Sequence, residues 1–449
     1  EVARLAPKGT HSLEAALLAR MTEQDPTNTD LWRRLGMALV ASGRGPEAVS
    51  AWKRHAETAP DRNAAVADGI AALFGGNFQR EGLQLLRQTG ANNLPSSLAG
   101  SVGSACLAVR DLPCARRYTK RFLEGPLVME HDYLDLSERL RSAGLRSLAK
   151  AAAENAARSL PPKRQSDAAI MLGRLALGAD RLDEAEKAFA KAAGEGGDRT
   201  AISLRIAREY HAAGRLDRAA SWYGRARESN DGAVALQALS GWFDALDAQG
   251  RTAEIPQALS SQRWPSGRGG DIRPDVAMQM AGFGLVNPAI RLLEEALPSI
   301  ASSQRGGVVG QMVTLQIRQQ RFQDAFSIAR AHCRGDRPLP ETPCLAMAET
   351  FVRALKPDLA SQILDDLVAR PDAGTGAWLQ RATLSFLAGD REAGLRSALV
   401  AVDRATTLSE VTSRMGPLLL GRGDADGYLQ VLQRLAARGE DINLQDQHG

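Results

Sequence analysis

The chain has 449 residues, of which 44% are hydrophobic and only 5% aromatic, and its formal charge is +4. That length allows several ordinary domains or one elongated array, and the shortage of aromatic side chains disfavours a sandwich or barrel core relative to helices packed through small and aliphatic residues. A balance of 56 basic to 52 acidic residues is too even to imply a nucleic-acid partner, and no apolar run is long enough to span a bilayer as a helix.

In chain order, the start EVARLAPKGT has neither an initiator Met nor an apolar signal region. Glu1 leads us to expect that an upstream segment was removed, by a signal peptidase or by trimming. Residues 11–23 read as a capping helix, with Ser12 as its N-cap and Leu13, Leu17 and Met21 one turn apart. In residues 31–60, Trp32, Leu35, Gly36 and Leu39 share one helical face and SGRGP breaks the helix. Ala48, Trp52 and His55 then recur at helical spacing, and Pro60 closes the unit. Small residues at Gly36 and Ala48 let two antiparallel helices approach closely. The same pattern returns with Gly173, Ala185, Phe189 and Ala192, and again with Ala207, Gly214, Ala219, Tyr223 and Ala226. Second-helix anchors are expected at Ala48, Gly82, Ala115, Ala149, Ala185, Ala219, Ala253, Ala289, Ala325, Ala360, Gly394 and Tyr428, in steps of 33 to 36 residues.

This pattern resembles the tetratricopeptide repeat (TPR) family: a large-small pair in helix A, then small, aromatic and small positions in helix B, then proline. The resemblance covers roughly residues 29–440. It is closest at 31–60, 166–192, 200–226 and 378–401, and looser at 95–125, at 271–298 and in the last unit, where Tyr428 replaces the small residue. It implies an all-α fold, an α-solenoid of about twelve helix-turn-helix repeats in a right-handed superhelix with a concave inner face. The expected divisions are an N-terminal extension and capping helix (1–28), repeats one to seven (29–262), a Gly/Pro-rich insertion loop (263–274), repeats eight to twelve (275–440) and a polar tail (441–449).

In that frame the four cysteines fall as two local pairs. Cys106 lies near the end of helix A of the third unit and Cys114 at the start of its helix B, across one short turn. Cys333 ends one helix and Cys344 begins the next, across a connection between units. Zinc would need three or four convergent ligands, and His332 is the one nearby imidazole; no C-x-x-C redox motif occurs. The choice is between free buried thiols and two disulfides, Cys106–Cys114 and Cys333–Cys344. The absence of an unpaired cysteine and the form of the N-terminus favour disulfides and an oxidising compartment.

No nucleophile elbow, zincin, Walker or dinucleotide motif is present, and none of the six histidines is joined in sequence to a plausible nucleophile and acid. The reading is therefore a non-enzyme that uses neither metal nor cofactor. Mapped onto this register, the ligand-facing positions of the family fall on Arg33, Met37, Val40, Arg174, Leu177, Arg208, His211, Trp242 and Ala245. Two guanidiniums and an indole in successive repeats would suit a carboxylate-bearing peptide or an anionic sugar polymer. The Lys and Asn clamp of chaperone-binding relatives is not matched. Long Ala- and Arg-rich arrays also resemble the periplasmic solenoids of bacterial envelope and exopolysaccharide-export systems. The expectation is a non-catalytic periplasmic scaffold that binds envelope or outer-membrane proteins and meets the membrane only through them. The alternatives are a guide for an anionic exopolysaccharide and a cytoplasmic TPR adaptor.

Overall fold

The computed structural model describes residues 8–91, 93–129, 131–195, 197–265, 271–335 and 337–438. The first seven residues and the polar tail at 441–449 lie outside them, as does the centre of the insertion loop, 266–270. Among the described residues the chain is an all-α solenoid: 25 α-helices and no strand. A leading helix α1 (Lys8–Gln24) is followed by α2 (Thr29–Ala41) and α3 (Gly45–Thr58), α4 (Arg62–Gly75) and α5 (Gln79–Thr89), α6 (Ser96–Ala108) and α7 (Leu112–Glu124). Next come α8 (Tyr133–Ser142) and α9 (Arg146–Ser159), α10 (Gln165–Leu177) and α11 (Leu182–Glu195), then α12 (Arg199–Ala212) and α13 (Leu216–Ala226). The chain continues as α14 (Gly232–Asp247) and α15 (Ile255–Leu259), α16 (Arg273–Gly282) and α17 (Val286–Ala296), α18 (Ser302–Arg318) and α19 (Phe322–Arg334). It ends as α20 (Glu341–Arg353) and α21 (Pro357–Val368), α22 (Thr375–Leu387) and α23 (Arg391–Arg404), α24 (Leu408–Leu420) and α25 (Ala425–Ala437).

After α1, the helices thus alternate as A and B members of twelve consecutive pairs. Contacts divide them into two compact units, 1–215 and 216–449. The Gly/Pro-rich insertion lies within the second unit.

The small-residue anchors are where the helix pairs close. Ala48, Ala115, Ala149, Ala185, Ala219, Ala289, Ala325 and Ala360 have no exposed surface, and Gly82, Gly394 and Tyr428 are buried too. Ala253 is the exception. It sits exposed in a 3-10 turn (Thr252–Glu254), and Ile255 takes the buried position at the head of the five-residue α15. Pro256, with no N–H to give, suits the first turn of a helix and sets this later start.

Opposite the anchors, helix A supplies glycines whose missing Cβ makes room for a ring. A Cβ on Gly36 would stand 2.7 Å from the Trp52 indole. One on Gly173 would meet Phe189, and one on Gly241 would meet Tyr223, at closer range still. Each turn from an A to a B helix contains one residue with positive φ. At seven it is glycine: Gly43, Gly144, Gly214, Gly250, Gly284, Gly389 and Gly423. At the other five it is Asn77, Arg110, Asp180, Gln320 or Leu355. The left-handed conformation reverses the chain within a short turn, and outside glycine it costs about 1 kcal/mol.

The leading helix differs in detail from expectation. It starts at Lys8, so Ser12 lies inside it instead of capping it. Ala15, Leu18 and Thr22 form its buried stripe, while Leu13, Leu17 and Met21 face solvent. The buried stripe is the less bulky one, which lets α1 lie close against α2.

Both cysteine pairs are disulfides, with Cα–Cα distances of 5.8 Å for Cys106–Cys114 and 5.9 Å for Cys333–Cys344. The first closes the hairpin α6–α7, where Asp111 caps α7 by accepting the Cys114 N–H at 3.2 Å. The second links α19 to α20 and so ties one pair to the next.

Two predictions follow from this packing. Gly173→Ala should destabilise the chain by about 1–3 kcal/mol through overpacking against Phe189. Leu355→Gly, at a position 84% exposed with a left-handed backbone, should stabilise it by about 1 kcal/mol. Urea unfolding of the two variants beside the parent reads both signs. Non-reducing peptide mapping should recover 106–114 and 333–344 with no crossed pair. Reduction should cost about 2–3 kcal/mol for each loop closed and lower Tm while the helical circular dichroism at room temperature persists.

Candidate functional site

The sequence-derived groove residues divide between the two units. Arg33, Met37, Arg174, Leu177, Arg208 and His211 belong to the first and Trp242 to the second. On α2, Arg33 is exposed and pairs with Asp30 of its own helix at 3.2 Å, while Met37 is 52% exposed. Leu177 is half-buried at the end of α10, and on α12 Arg208 is exposed and His211 half-buried.

Arg174 is the most constrained of the set. Its Nε donates to Glu209 on α12 at 2.7 Å, its Nη2 reaches the other oxygen of the same carboxylate, and its Nη1 donates to Glu138 on α8 at 3.2 Å. Glu138 is held in turn by Arg141 at 3.0 Å. The result is a charge ladder over three successive A helices. The Glu209 carboxylate raises the pKa of Arg174 against the opposing effect of burial. Arg141, and after it Arg174, lowers that of Glu138. A guanidinium whose donors already meet two carboxylates offers little to an incoming anion.

Trp242 is only 8% exposed, and Arg227 covers it, with the guanidinium carbon 4.4 Å from the ring centroid. The Nε and Nη1 of Arg227 are buried and have no hydrogen-bond partner. Burial accordingly lowers its pKa. Nothing in the spacing of the sequence marked Arg227, because it lies at the end of a B helix while the register directs attention to A helices.

Two open grooves stand out. One, of about 1110 Å³, lies beside α1, with Trp32, Leu35 and Leu39 at its base. Its charged wall is largely self-neutralised, by Arg44–Glu47 and Arg54–Glu57. The other, of about 430 Å³, is in the second unit and runs over α20, α22 and α24, with Leu364 of α21 at its base. Val352, Leu384, Leu387 and Leu418 line it, and Leu387 is 57% exposed. The sequence register assigned no ligand position to these last repeats. Among the described residues no cluster of three or more His, Cys, Asp or Glu side chains could hold a metal ion, and no helix is long and apolar enough to cross a membrane.

No family model matches the chain, and no curated protein does. Among solved structures, one described as Naa15/Naa10 bound to HypK-THB matches with 13% identity and a TM-score of 0.41, covering 94% of this chain. The chain spans 65% of the length of that match.

The two half-buried arginines should respond oppositely to the same change. Arg174→Met strands Glu209, leaves Glu138 to Arg141 alone and should cost about 1–2 kcal/mol, a value reduced by their partial exposure. Arg227→Met keeps contact with the Trp242 ring and removes an unpaired, desolvated cation, so it should leave stability unchanged or raise it. Denaturant midpoints of the two variants measure the contrast.

Proposed function

We propose that the chain is a non-catalytic scaffold that binds protein partners in an envelope complex, on the periplasmic side of the membrane. The observation that carries the reading is the open groove of mixed polar and apolar lining over α20, α22 and α24. Val352, Leu384, Leu387 and Leu418 come from three helices and lie together along it, with Leu387 57% exposed. Support for the compartment comes from the two disulfides, which persist in oxidising surroundings and are rare in the cytosol. The polysaccharide-guide alternative is weakened by Arg174, whose charge is already matched by Glu209 and Glu138.

Affinity capture from detergent-solubilised envelopes, followed by reconstitution with each purified candidate, tests the reading. A stoichiometric protein partner is expected. Failure to reconstitute any partner would overturn it. Protein isolated from its native compartment without reductant should carry no reactive thiol, and four labelled thiols would place it in the cytosol instead.

A further inference from the structure

Charge is nearly balanced over the whole chain but not on α7. This helix carries Arg116, Arg117, Lys120 and Arg121 against one acid, Glu124, the largest basic excess of any helix described. Helical periodicity puts the four on the side opposite the buried Ala115, Tyr118, Thr119 and Phe122. Arg116 has no hydrogen-bond or ion-pair partner among the described residues. Lys120 meets Glu124 at 3.7 Å, with both side chains exposed. The same stretch exposes apolar groups. Leu112 lies one turn before Arg116 on the same stripe, and Val109 sits in the turn that precedes it. Val128 and Met129 follow the helix, with Met129 64% exposed. Of thirteen large apolar side chains left exposed among the described residues, these four fall between positions 109 and 129. The Cys106–Cys114 bond fixes the start of this face.

We propose that the α7 face docks on an anionic lipid surface. Arg116, Arg117 and Lys120 meet headgroup phosphates, and Leu112 and Met129 enter the boundary with the acyl chains. This goes beyond the scaffold reading, in which the membrane is met only through protein partners. Charge complementarity and the apolar ends together select the occupant. Guanidinium and ammonium groups on long stems donate to phosphate oxygens, and a cluster of about four of them suits a negatively charged leaflet. A soluble polyanion would use the cations and leave Leu112, Val128 and Met129 in water, whereas a bilayer interface takes both kinds of group. The dimensions agree. The helix is about 20 Å long, and Met129 lies at most about 18 Å of chain beyond Glu124, so cations lie between two apolar ends. Because α7 is already folded against α6, docking carries no cost of ordering a helix.

The test is co-sedimentation of the intact chain with vesicles of phosphatidylglycerol mixed into phosphatidylcholine, and with phosphatidylcholine vesicles alone. Binding to the mixed vesicles that falls as salt is added is expected, with little binding to the neutral ones. Arg116→Gln/Lys120→Gln should weaken it by about tenfold or more, and Met129→Asp by about fivefold. Lys187→Gln/Lys191→Gln on α11 makes the same change in net charge elsewhere and should leave binding unchanged. All five substituted residues are exposed, and circular dichroism checks that each variant remains folded. No binding to mixed vesicles, equal binding to neutral ones, equal losses in the α7 and α11 variants, or indifference to Met129→Asp would each overturn the inference. Dextran sulfate bound as tightly as the vesicles would assign the face to a soluble polyanion and overturn it too. So would loss of a captured protein partner by Arg116→Gln/Lys120→Gln with vesicle binding intact. Retention of that partner with vesicle binding lost is the expected result, so the lipid face and the scaffold reading can fail separately.

Discussion

The structure depends on close approach between the two helices of a pair, which small residues permit and which several pairs exploit by setting a ring over a glycine. Gly36 beneath Trp52 and Gly173 beneath Phe189 show the arrangement: the aromatic face lies where a Cβ would otherwise project. Aromatic residues make up only 5% of the chain, yet several of them are used in this way. Each buries a large apolar area for few residues. Ala-rich helices fill the remaining contacts, and a solenoid built like this gains its stability from neighbours, without a single central core.

Between pairs, arginine supplies the connection. Arg139 donates to the Ser104 carbonyl, Arg330 to Asp366, Arg391 to Asp424 and Arg370 to the Leu339 carbonyl, each reaching 31 to 36 residues along the chain. That is one repeat length. The planar, multi-donor guanidinium on a long stem suits a bridge from one helix pair to the next. Part of the arginine content thus serves as internal clips from one repeat to the next.

Much of this was legible in the sequence, because a period of about 34 residues with small residues at fixed places has few physical explanations. The helix pairs, their order and the two local cysteine pairs were readable for that reason. Positions governed by a neighbouring repeat were not. Spacing cannot reveal that Arg174 is already matched by carboxylates one repeat either side, or that Arg227 lies over Trp242. Nor can it show that Pro256 delays α15 so that Ile255 replaces Ala253 in the core. The turns are a further case. Arg110, Gln320 and Leu355 adopt a backbone that glycine would advertise, and only the fold around them requires it.

The two disulfides differ in what they join, and the difference becomes mechanical if the array is pulled. A solenoid under tension can lose helix pairs one after another, because each is held only by its neighbours. The 106–114 bond removes about eight residues of turn from the extensible length, at about 3.3–3.6 Å apiece, and leaves the boundary to the next pair free to open. The 333–344 bond crosses such a boundary. Force passes through it covalently, so α19 and α20 cannot separate end from end, and peeling that reaches this point must halt or resume beyond it.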